Sequence, residues 1–111
     1  MKQDIDLKNQ VKKILKVVEE LAPGRSVELR IPPYAAIQCV EGGNHRRGTP
    51  PNVVEMSAQT LLKLSKSPQN WDQLCSDGAI SASGTNSNLS KIFCDVSKLI
   101  SNFDEELRDG K

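Results

Sequence analysis

Arg30–Met56, RIPPYAAIQCVEGGNHRRGTPPNVVEM, constrains the fold more than any other stretch of the chain. Before the first Pro-Pro pair the side chains alternate. Val27, Leu29 and Ile31 share one parity and Glu28 and Arg30 the other, the pattern of a half-buried strand over 26–31. Pro32-Pro33 cannot adopt the positive φ angles of a two-residue hairpin turn. A proline does suit the second position of a type I turn in a slightly longer loop. The spacing therefore predicts a second strand over 36–41, antiparallel to the first. Gly42-Gly43-Asn44 and Gly48-Thr49-Pro50-Pro51 bound a longer loop, and a third strand over 52–56 completes an expected meander.

Helical periodicity surrounds this β-rich centre. Over 5–21, Leu7, Val11, Ile14, Leu15, Val18 and Leu21 form one stripe, and Pro23-Gly24 ends it. Ser57 is a suitable cap for a helix over 58–66, and Ser67-Pro68 for one over 68–76. Asp77-Gly78 stops the latter, a small-residue strand follows over 79–83, and Gly84 breaks it. The last helix is expected over 87–102, capped by Asn86 or Ser87. Its stripe of Leu89, Ile92, Phe93, Val96, Leu99, Ile100 and Phe103 is the cleanest in the chain. Residues 104–111 read as a frayed polar tail. The order predicts a single α+β domain over 1–111. Its sheet is expected to be mostly antiparallel, with four to five strands and helices packed on one face.

Composition excludes several classes. A net charge of +1 provides no basic face for a phosphate backbone, so no nucleic-acid partner is expected. No apolar run reaches the length of a transmembrane segment. The charged start MKQDIDLKNQ lacks the apolar stretch of a signal peptide, and a cytoplasmic protein is expected. Cys39, Cys75 and Cys94 are widely spaced, and His45 is the one histidine, so neither a zinc site nor any other cofactor is expected. Catalysis finds little support. His45 has no evident orienting acid, Cys39 falls in a predicted strand, and no glycine motif cradles a phosphate.

The runs SVELRIPPYAAIQCVEG, HRRGTPPNVVE, LLKLS, and LCSDGAISASG leading into Leu89 and Ile92 together resemble the sterol carrier protein family, most closely its small bacterial branch. In that family a helix ending near a glycine, a short strand, and a second glycine opening the terminal helix recur. Gly78 and Gly84 stand at those places here. The resemblance spans about Arg25 to Ile100. It implies an α+β domain whose sheet and terminal helices enclose an apolar tunnel, similar to domains that bind sterols, fatty acids or acyl-CoA without a cofactor. This chain departs from the lipid-transfer members in being short and poor in aromatics, and in ending Asp-Gly-Lys rather than in a peroxisomal signal.

On that resemblance, Leu61, Leu62, Leu64, Trp71, Leu74, Leu89, Ile92, Phe93 and Val96 are the candidates to line an apolar cavity. Plain core packing is the competing role. His45, Arg46 and Arg47 are the candidates for contact with a ligand headgroup, and a solvated loop tip, with an arginine paired to Glu41 or Glu55, is the competing role. Three functions follow. The first is a non-enzymatic carrier or binding domain for a fatty acyl or other lipid ligand. The second is a structural or protein-interaction module with a filled core, acting as a homo-oligomer or on a protein partner. The third, an enzyme accessory using His45 and its arginines, ranks last.

Overall fold

The computed structural model describes residues 2–42 and 52–109, with side chains over 5–42 and 52–101. The first helix, α1 (Lys2–Leu21), buries Val11, Ile14, Leu15 and Val18. Leu21, the last member of its expected stripe, stays 40% exposed. The chain then turns through Pro23-Gly24 into β1 (Val27–Ile31). Gly24 has φ +149°, and a Cβ there would run into the backbone of Val40. Glycine is therefore required at this crossing for space as well as conformation.

β1 pairs antiparallel with β2 (Ala35–Cys39), from Val27 opposite Cys39 to Ile31 opposite Ala35. The Tyr34 amide donates to the Ile31 carbonyl at 2.8 Å, and the Pro32-Pro33 bond is cis. The hairpin turn is thus type VI, with the cis proline at its third position, rather than the expected type I. β2 also ends earlier than 41, because Val40 leaves the extended region at φ 65°. A β-branched residue is rare there. Val40 is held by two bonds to the α1–β1 connection. Its amide donates to the Ala22 carbonyl at 2.7 Å, and its carbonyl accepts from the Ser26 amide at 2.9 Å.

β3 (Asn52–Met56) overturns the expected meander. It pairs with β1, not β2, and runs parallel to it, Val27 opposite Asn52 and Arg30 opposite Glu55. A tight turn would have forced an antiparallel neighbour. Residues 40–51 are long enough to carry the chain back past β1 to its other edge. β4 (Ile80–Ser83) then pairs antiparallel with β3. The four-stranded sheet has the order β2-β1-β3-β4 and is mixed rather than mostly antiparallel.

Between β3 and β4 lie α2 (Ala58–Lys66), a 3-10 turn (Pro68–Asn70) and α3 (Trp71–Ser76). Ser57 caps α2, its hydroxyl accepting from the Thr60 amide at 3.1 Å. α3 closes in a Schellman motif. The Gly78 amide donates to Cys75 and the Ala79 amide to Leu74. Gly78 sits at φ +83° with open space around it, so conformation alone demands the glycine.

The final helix, α4 (Ser90–Asp109), starts three residues later than expected and runs through most of the stretch expected as a polar tail. Both expected caps precede the helix and are tied to other residues, Asn86 through its backbone and Ser87 through its hydroxyl. The Asn86 amide donates to Asn52 Oδ1 at 2.9 Å, and the Ser87 hydroxyl to the Gly84 carbonyl at 2.9 Å. Asn88 Oδ1 accepts from the Ser90 amide instead. Asn52, fully buried, also donates from Nδ2 to the Ser26 carbonyl at 2.8 Å. One side chain thus joins the starts of β1 and β3 to the β4–α4 connection. Gly84, at φ +104°, leaves it room, since a Cβ there would collide with the Asn52 side chain.

Candidate functional site

The sheet's helix-facing side is sealed. Leu61, Leu64, Leu89, Phe93 and Val96 have no exposed surface, and Trp71 and Leu74 are buried beside them. They form one cluster with Val27, Leu29, Ile31, Val54, Met56 and Ile80 from the sheet. Seven of the nine residues read as cavity candidates are therefore brought together, and they pack as core. The other two, Leu62 and Ile92, are only partly buried and lie at the edge of that cluster. His45, Arg46 and Arg47 lie outside the described residues.

An open apolar space is found one layer further out, where α1, α2 and α4 converge. Its floor is Ile14 and Val17 of α1, Leu62 of α2, and Leu99 and Ile100 of α4. Its volume is about 400 Å³, within the range of small-molecule sites. Gln10, Lys13, Glu20, Ser65 and Lys66 form its polar margin. The groove exists because the apolar stripes of three helices are wider than one sheet face can cover. α1 turns Val11, Leu15 and Val18 fully inward, which leaves Val17 at the side. α4 turns Phe93 and Val96 inward and leaves Leu99 43% exposed a turn later. Of the sequence candidates among the described residues, Leu62 alone lines this space. Ile14, Leu99 and Ile100 were visible as stripe members but not as a site, and Val17 and the polar margin carried no local signal.

The opposite face of the sheet carries charge. Arg30 Nε contacts Glu28 Oε2 at 2.8 Å, and its Nη1 lies 3.9 Å from Glu55 Oε1. The hydrogen bond to Glu28, with the Glu28 charge behind it, raises the Arg30 pKa further. A shallow hollow of about 390 Å³ opens here against Pro32, Pro33 and Tyr34. Its three charges largely satisfy one another. Glu55, considered as a partner for the loop arginines, is engaged by Arg30.

Two of the three thiols are shifted toward their neutral form. Cys39 is buried, and burial foremost, with the Glu19 charge second, pushes its thiol up to about 11. Cys75 is raised in the same direction by burial and then by Asp72. A neutral thiol is a poor nucleophile. Cys94 is exposed, and all three thiols are free. Among the described residues no cluster of His, Cys, Asp and Glu could hold a metal ion, and no helix is long and apolar enough to cross a membrane.

With this arrangement established, the family model described as a bacterial SCP ortholog, SCP denoting sterol carrier protein, matches residues 3–94. The chain belongs to the bacterial branch of the sterol carrier protein family. The match covers α1, the whole sheet, α2, α3 and the first turn of α4. The groove's α4 wall, Leu99 and Ile100, lies just beyond it. No curated protein matches the chain.

Proposed function

We propose that the chain is a non-enzymatic carrier or binding domain for an apolar ligand, a fatty acyl chain or similar lipid, seated in the α1–α2–α4 groove. Family membership supports the ligand class. The observation that carries the location is the open floor of Val17, Leu62, Leu99 and Ile100, set against a sealed sheet–helix interior. Each methylene that leaves water contributes about 0.8 kcal/mol, so an acyl chain of moderate length needs few polar contacts to bind. Association itself costs roughly 4–15 kcal/mol, which limits such a groove to modest affinity. Lys13 and Lys66 at the margin suit an anionic head, the role that sequence reading gave to His45, Arg46 and Arg47. Three free thiols suit a reducing compartment such as the cytoplasm.

Titration with a fluorescent fatty acid tests this reading. Saturable binding is expected, weakened at least about tenfold by Leu62→Glu. Absence of saturable binding by the wild-type chain would sink it. The filled sheet–helix core favours a second reading, a protein-interaction module in the same fold, which predicts a protein complex and no bound lipid.

A further inference from the structure

Charge is unevenly spread over the outer side of the helix layer. The net charge of the chain is only +1, yet α1 and α2 are basic where they flank the α1–α2–α4 groove. From Leu7 to Val18, α1 holds lysines and no acid, and α2 holds Lys63 and Lys66 and no acid. Lys13, on the α1 margin, already has an interaction of its own. The charge offered to a partner is that of Lys12 and Lys16 on α1 and of Lys63 and Lys66 on α2, all four exposed. Glu20 is the acid that lines the groove, and Asp6 and Asp95 stand a turn before Gln10 and Leu99. Between the basic helices lies the apolar floor, with Leu99 43% exposed. The space is a concavity of about 400 Å³ bordered by helices. Such a trough takes the side-chain ridge of another helix, whereas a flat surface would span it and leave the floor uncovered. Helix-in-groove recognition works through apolar anchors one turn apart, and charges beside the groove select the partner of opposite sign.

We propose that the groove docks an acidic amphipathic helix of another protein. The apolar ridge of that helix rests on Val17, Leu62, Leu99 and Ile100, and its carboxylates face Lys16, Lys63 and Lys66. Charge sets the sign of the partner, and the concavity sets its shape. The proposal goes beyond the carrier reading, because docking a helix requires no lipid, and it gives the interaction-module reading a partner chemistry.

Two synthetic helical peptides test it on the full chain by fluorescence anisotropy. Both carry leucines at i, i+4 and i+7 on one face. Their polar faces are glutamate in one and lysine in the other. The acidic peptide should bind saturably, the lysine peptide at least about tenfold more weakly, and the acidic peptide's affinity should fall as salt is raised. The variant Lys63→Glu, Lys66→Glu should lose at least about tenfold for the acidic peptide. Leu99→Ser should also weaken it, with an unchanged circular dichroism spectrum. No saturable binding of the acidic peptide up to about 1 mM would overturn the proposal. So would equal binding of the two peptides, a charge reversal without effect, or an unchanged affinity in Leu99→Ser. Mixed phosphatidylserine and phosphatidylcholine vesicles that bind where the acidic peptide does not would give the face to a bilayer and overturn it. A dimer in sedimentation equilibrium that excludes the peptide would give the groove to a second copy and overturn it as well. Fluorescent fatty-acid binding, measured on the same samples, separates the two ideas. Peptide binding without fatty-acid binding removes only the carrier reading, and the reverse removes only this one.

Discussion

The two sides of the helix layer were built from the same kind of side chain and came out differently. Toward the sheet, leucines, valines and Phe93 from three helices meet a second apolar surface and have no exposure left. Away from it, Val17, Leu62, Leu99 and Ile100 have no second apolar layer across from them and border an open space of about 400 Å³. Apolar character alone therefore does not distinguish core from site in this fold. What distinguishes them is whether a second element lies across from the stripe. The groove is a place where the fold ran out of cover.

Substitutions on the two sides should separate accordingly. Phe93→Ala breaks the sealed side and carries the largest expected cost, about 3–5 kcal/mol by chemical denaturation, from lost burial plus a cavity. A loss below about 1 kcal/mol would mean that the interior is looser than its burial indicates. Asn52→Ala is next. It removes the acceptor for the Asn86 amide and one donor to Ser26, for an expected loss of roughly 1–3 kcal/mol.

Cys39 gives a pH test of the same sealed side. Its thiol titrates at about 11 in the folded chain, against 9.0 for the ordinary group. The folded state therefore holds its proton to higher pH than the unfolded state does. The contribution is complete below pH 9.0 and is lost as pH rises through about 11. The urea midpoint of the wild type should fall over that window more steeply than that of Cys39→Val, and parallel curves would remove the argument. On the open side the expected stability effect is smallest. Leu62→Gln should stay within about 1 kcal/mol of wild type while weakening fatty-acid binding, which sharpens the contrast with Phe93.

Legibility in the sequence followed the same division between local and distant causes. The β1–β2 hairpin, α2 with its Ser57 cap and the Asp77-Gly78 stop were readable, because their determinants lie within a few residues. The parallel β1–β3 pairing was not, since the periodicity of Val53–Glu55 fits the free edge of β2 as well as that of β1. The start of α4 was misplaced because the Ser87 hydroxyl, a good cap by type, is taken by the Gly84 carbonyl, and the Asn86 backbone is tied to Asn52 ahead of the helix. Gly84 itself was seen as a breaker, but its closeness to Asn52 had no local sign. The groove was the least legible part. Its floor draws on three helices, and no window of sequence contains their convergence.

The parallel seam between β1 and β3 also divides the chain. Before it stand α1 and one two-stranded ribbon, and after it stand another ribbon and the remaining helices. Only that seam, with the helices packing over it, binds one portion to the other. Two separately expressed polypeptides, 1–42 and 52–111, would each carry a full ribbon and could reassemble edge to edge. Recovery of one stoichiometric complex from such a split would mark the protein as a heterodimer in miniature, covalently joined.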